Sequence, residues 1–206
     1  MSAAALLASH AGLWARLPTH PFVVATAEGS LPAGAFDRWL EQDHWFVVGF
    51  RRFLARMVEL APDEGARDVL AGGLGALADE LALFRSEGAG RGLDLDGTEP
   101  SPTTLGYTSY LQAAPVEGWP VALTALFGAE KAYFDAWSAV RDRGRADSPY
   151  RPFVDNWSSP AFGDWVDEVG GLVDRLAPAP ELELTLGRVV RFELRFWDAV
   201  HVGETW

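Results

Sequence analysis

Apolar residues recur along this chain at the three-and-four spacing of a helix face, and the runs are punctuated by proline and glycine. Over residues 32–60 the apolar positions are Phe36, Trp39, Leu40, Phe46, Val47, Phe50, Phe53 and Leu54, with Pro32 in the first turn, which predicts one long helix. A second pattern after Pro62 and Asp63 runs through Val69, Leu70, Leu74, Leu77, Leu81, Leu83 and Phe84 and ends near Gly88. The stretch EGAGRGLDLDGTEPSPTT, residues 87–104, is the longest loop expected.

Ser101 and Pro102 then read as a cap and first turn for a helix carrying Leu105, Tyr107, Tyr110 and Leu111. A long helix is predicted from Trp119 to about Arg143, a short one through Phe153 and Trp157 after a proline turn, and another restarting at Ser159 and Pro160. PAPE, residues 178–181, breaks that helix and starts the last, through Leu184, Val189, Val190, Phe196, Trp197 and Val200. The apolar AAALLA of residues 3–8 lacks a basic flank and runs on into HAGLWARL, so it reads as a first helix and not a secretory signal. No strand pair and no repeat stands out. The expectation is an all-α, single-domain helical bundle over residues 1–206.

Composition narrows the function. Acidic side chains number 29 against 17 basic ones, a formal charge of −12, with Lys131 the only lysine. Such a surface repels phosphate backbones and anionic lipid, so neither nucleic acid nor a membrane is an expected partner. No apolar run reaches the ~20 residues of a membrane span, and a cytoplasmic protein is expected. Without cysteine there is no disulfide, no thiolate metal site and no thiol nucleophile.

Four acids break the apolar stripes. Asp43 lies among Trp39, Phe46 and Val47; Glu80 among Ala76, Leu77, Leu83 and Phe84; Glu130 among Leu126, Phe127, Tyr133 and Phe134; Glu193 among Val189, Val190, Phe196 and Trp197. A single such acid more often reaches solvent or an arginine, here Arg51, Arg188, Arg191 or Arg195. Four on four helices point instead to one central pocket with aromatic walls, because buried carboxyls neutralise, pair or face a cavity. Trp45, Trp137, Trp157 and Trp197 could lie nearer these acids, although a core place is favoured for any one of them, and Trp14, Trp39 and Trp165 are assigned to the core or to helix contacts. Tyr107 and Tyr133 could lend hydroxyls to the pocket. None of His10, His20, His44 and His201 follows an inward acid at Glu-x-x-His spacing, so no metal or other cofactor is expected.

The order of these pieces resembles the TenA family, also called thiaminase II or aminopyrimidine aminohydrolase, whose fold is haem-oxygenase-like. The resemblance rests on HPFVVATAEGSLPAGAFDRWLEQD, TTLGYTSYL, YRPFVDNW and FELRFWDA. In the better-known branch a cysteine attacks the pyrimidine; here FGAEKAY stands in its place, similar to a branch in which glutamate replaces that cysteine. The equivalent position is Ala129 or Glu130, with Glu130 favoured. Phe46 and Trp157 stand where many relatives carry tyrosine.

The resemblance implies hydrolysis of an aminomethyl pyrimidine, or of its N-formyl precursor, to the hydroxymethyl form in thiamin salvage. It implies Glu193, Glu130 and Asp43 as catalytic residues and Phe46, Tyr107, Tyr133, Trp157, Glu80 and Trp197 around the substrate. It also implies a homo-oligomer, dimer or tetramer. The alternative on the same residues is a non-catalytic pyrimidine-binding or regulatory protein.

Overall fold

The computed structural model describes residues 2–145 and 147–206. Its helices are α1 (Ala3–Ser9), α2 (Ala11–Trp14), α3 (Pro21–Glu28), α4 (Ala35–Leu60), α5 (Glu64–Arg91), α6 (Pro102–Ala113), α7 (Trp119–Arg143), α8 (Arg151–Trp157), α9 (Pro160–Val173) and α10 (Pro180–Val202), with a 3-10 turn at Ala114–Glu117. No strand occurs among the described residues. No helix among them is long and apolar enough to cross a membrane.

The helix starts follow from local chemistry. Asp63 Oδ1 accepts the Ala66 N–H at 2.8 Å, Ser101 Oγ that of Thr104 at 3.3 Å and Ser159 Oγ that of Phe162 at 3.1 Å, each satisfying a donor the helix cannot use itself. α4 begins at Ala35, three residues later than the proline suggests. Gly34 takes φ 77° just before it, and the Ala35 N–H bonds the Pro32 carbonyl, so Pro32 belongs to the preceding turn.

Two further expectations are corrected, and one helix is added. The first helix is broken at His10, with φ −120° and ψ 21°, where the ring nitrogen Nε2 meets the Glu183 carbonyl at 2.8 Å and ties the chain to α10. α5 extends to Arg91, because Gly88 and Gly90 are tolerated inside it and the left-handed Gly92 caps it, which shortens the loop to residues 92–101. A Cβ on Gly88 would lie 2.7 Å from Leu95, so that glycine lets the loop fold back onto its own helix. α3, which the periodicity does not single out, starts on a ring nitrogen of His20 that accepts the Phe22 N–H and ends on left-handed Gly29.

One core joins these helices. α4 packs on α5 and α6, and α7 packs on α9 and α10. Trp39, Phe84, Phe153 and Trp157 form an aromatic block in it, with Trp39 edge-on to Phe153 at 4.9 Å and Phe153 stacked on Trp157 at 5.6 Å. This block fixes the wall against which the candidate site is built.

Candidate active site

A cavity of about 590 Å³ opens among α4, α5, α7, α8, α9 and α10. The four acids that interrupt the apolar stripes all line it: Asp43, Glu80, Glu130 and Glu193. Helical spacing explains the company each keeps. On α4, Phe46, Val47 and Phe50 follow Asp43 by three, four and seven residues; on α7, Tyr133 follows Glu130 by three; all face the cavity. Among the described residues no arginine, lysine or histidine lines it. Among the described residues none of the four acids forms an ion pair, which removes the arginine-paired reading.

Two of the acids are held by tyrosines. Tyr133 donates its hydroxyl to Asp43 Oδ1 at 2.5 Å, and Tyr107 donates to Glu193 Oε1 at 2.6 Å. Burial first, and then the adjoining acid, raise both phenols well above their ordinary pKa, so they remain donors. Asp43 and Glu193 are 0% exposed, and the second oxygen of each, Oδ2 and Oε2, has no hydrogen-bond partner among the described residues. Unpaired buried oxygens in a cavity wall are costly unless a ligand uses them. The other two acids, half-buried, each have an indole N–H nearby that favours the ionised form, Trp157 beside Glu80 and Trp165 beside Glu130.

Burial dominates the titration of all four. It pushes Asp43 up to about 8, against the hydrogen bond from Tyr133, and Glu193 up to about 8, against that from Tyr107. Glu130 rises to about 7, opposed by Trp165, and Glu80 rises well above the usual carboxyl range through burial and then the charges of Glu130 and Asp43. Near neutral pH, protons therefore sit on carboxyls that can release them to a substrate.

A stability consequence follows with a definite sign. Each acid keeps its proton in the fold where the unfolded chain has lost it, so unfolding releases protons and stability falls as pH rises from about 4, the unfolded value, towards about 8 for Asp43 and Glu193. The Asp43→Asn/Glu193→Gln double variant should lose less melting temperature than wild type between about pH 5 and about pH 8. Parallel thermal melts check this, and equal losses in both proteins would contradict it.

The structure brings seven of the nine sequence-predicted residues to the cavity wall, namely Asp43, Phe46, Glu80, Glu130, Tyr133, Trp157 and Glu193. Tyr107 and Trp197 are not on it. Tyr107 stands behind Glu193, stacked on Phe192 at 5.1 Å, and Trp197 stands behind Tyr133, stacked on its ring at 5.3 Å. Ala129 lines the cavity beside Glu130. Trp45 and Trp137, two of the four tryptophans that could lie near the acids, are off the cavity, and Trp165, expected in the core, lines it. The reason is α5: Gly73 offers no side chain where a Cβ would come within 2.4 Å of the Trp165 indole. The run Gly72–Gly73–Leu74–Gly75–Ala76 is the sequence signal for this close approach. Sequence reasoning also missed Asp68 on α5 and Phe162 and Glu168 on α9, which line the cavity nearer solvent. Among the described residues no three His, Asp or Glu side chains are grouped to hold a metal ion.

Comparison with known proteins places this geometry. The TENA/THI-4/PQQC family profile matches residues 7–201. A soybean (Glycine max) protein named "Probable bifunctional TENA-E protein" is 27% identical, over 93% of this chain and 90% of its own length. A Halalkalibacterium halodurans protein named "Aminopyrimidine aminohydrolase" is 25% identical, over 99% of this chain and 97% of its own. Among solved structures, a TenA homologue from Pyrococcus furiosus superposes with a TM-score of 0.91 at 29% identity, covering 97% of this chain and all (100%) of that one.

Proposed function

The chain belongs to the TENA/THI-4/PQQC family, and on that premise we propose that it is an aminopyrimidine aminohydrolase that works without cysteine, breaking the C–N bond of an aminomethyl pyrimidine of thiamin salvage. The observation that carries the reading is the convergence of four proton-retaining acids in one aromatic-walled cavity lined, among the described residues, by no thiol and no cationic side chain.

Asp43 orients the ring. With Tyr133 holding Oδ1, its Oδ2 meets the exocyclic amine and neighbouring ring nitrogen of an aminopyrimidine, and the carboxyl shares its proton with that nitrogen. Phe46, Tyr133 and Trp157 offer flat surfaces to the ring. Glu193, anchored through Oε1 by Tyr107, uses Oε2 to supply or hold the proton on the departing amine. The C–N bond then breaks, ammonia leaves with the bonding pair, and the exocyclic amine's lone pair delocalises through the ring to the methylene carbon. Water adds there, giving the alcohol, and its proton returns to Glu193. Asp43, as its proton moves to the ring nitrogen, gains the negative charge that offsets the positive charge developing on the ring.

Glu130 takes the place of the absent thiol as a second acid or base. A formylaminomethyl substrate requires one hydrolysis more: water adds to the formyl carbon and formate is released before the amine is lost. Glu130 serves that step, because its carboxyl, near half-protonated at neutral pH, can both activate water and protonate nitrogen. Glu130→Gln should therefore lower formate release from the formyl substrate by about tenfold or more, with less effect on ammonia release from the free amine. Steady-state assays of both products check this; equal losses on both substrates would assign Glu130 to the shared step instead. Neither product from either substrate would count against the hydrolase. A cytoplasmic location and a homo-oligomer belong to the same proposal.

A further inference from the structure

The cavity extends well beyond the acids at its floor. Asp68, Gly72, Ala76 and Glu80 recur every four residues along α5 and all face it, so the wall spans three helical turns, about 18 Å. The segment from α8 to α9 runs antiparallel alongside: Trp157 meets Glu80 at the inner end, Trp165 lies against Gly73 midway, and Glu168 is one turn beyond Trp165. The inner end is closed by buried groups, whereas Asp68 and Glu168 are exposed, so these two side chains stand at the mouth. A pyrimidine bound for Asp43 and Glu193 enters past a rim whose other exposed members, Gly72, Ala76 and Ala161, are uncharged, so that Asp68 and Glu168 supply its charge.

The mouth is uncompensated. Two arginines at that end are engaged elsewhere, Arg67 with Glu64 and Arg175 with Asp63 at 3.8 Å, and among the described residues no arginine, lysine or histidine lines the cavity. The unpartnered buried oxygens of Asp43 and Glu193 mark the same cavity as one built for a ligand with hydrogen-bond donors.

We propose that Asp68 and Glu168 form a charge filter at the mouth, favouring amine-bearing pyrimidines over neutral ones and turning away pyrimidines that carry a phosphate. The inference rests on the aminohydrolase reading for its ligand class. Two carboxylates at an entrance raise the local concentration of cations and lower that of anions, an effect that salt screens. The reaction that supplies the substrate must then be one that leaves it free of phosphate.

The test compares wild type with Asp68→Asn/Glu168→Gln. In wild type, kcat/KM for the aminomethyl pyrimidine should exceed that for the formylaminomethyl pyrimidine by a ratio that falls with added salt, and the phosphate ester of hydroxymethyl pyrimidine should not compete. In the double variant that ratio should drop about threefold or more and lose its salt dependence. An unchanged ratio and salt response, or a phosphate ester that competes with wild type as well as the unphosphorylated alcohol does, would overturn the filter while leaving the aminohydrolase reading intact. If wild type turns over neither substrate, that reading fails, and tryptophan fluorescence titration decides the filter alone: wild type binding the amine well and the phosphate ester weakly upholds it, and equal binding of the two overturns it.

Discussion

Glu193→Gln should lower kcat by about two to four orders of magnitude while the protein stays folded and still binds pyrimidine. Glutamine keeps the shape of the side chain, and its carbonyl oxygen can still accept from the Tyr107 hydroxyl that bonds Oε1 at 2.6 Å. What it removes is the proton that burial keeps on this carboxyl up to about pH 8. The leaving amine then departs unassisted, and water adds with no group to take its proton. Because the acid acts in the transition state and not in ground-state binding, KM should change far less than kcat. The remaining rate should also lose whatever pH dependence Glu193 imposes. A variant retaining more than about a tenth of wild-type kcat would assign the acid role elsewhere in the cavity.

The second large effect is expected at Asp43. An asparagine in its place would keep the bond from Tyr133 and could still hydrogen-bond a neutral ring, so the pyrimidine should bind with modest loss. It could not hold or share a proton, and could not carry negative charge against the cation that develops as the C–N bond breaks. kcat/KM for Asp43→Asn should fall about a hundredfold or more, roughly 2.7 kcal/mol, with most of the loss in kcat. Kinetics with the amine, beside fluorescence titration with the hydroxymethyl product, separate the two contributions. A loss confined to KM would make Asp43 a binding residue only.

Much of this arrangement is legible in the sequence because helices write their packing at regular spacing. Asp43, Glu80, Glu130 and Glu193 are conspicuous since a carboxyl is costly in an apolar stripe, and that same cost is why they share a cavity. The starts of α6 and α9 are equally plain, since Ser101 and Ser159 are each followed by proline. The break at His10 is not, because a contact with the Glu183 carbonyl, 173 residues away, decides it. Depth is also hidden from periodicity. Tyr107 and Trp197 lie on the right helix faces yet stand one layer behind the wall, while Trp165 reaches the wall only because Gly73 on another helix leaves it room. Asp68 and Glu168 resemble ordinary surface acids until the antiparallel register of α5 and α9 sets them at one mouth.

If carboxyls alone carry out this hydrolysis, purified wild-type protein must release ammonia from an aminomethyl pyrimidine with nothing added, and that release is the most direct measurement to make, at enzyme concentrations equal to substrate. Ammonia and hydroxymethyl pyrimidine are expected in equal amounts, both lost in Glu193→Gln. Pyrimidine bound by wild type with no ammonia formed would contradict carboxyl-only hydrolysis and favour a binding protein built on the same cavity.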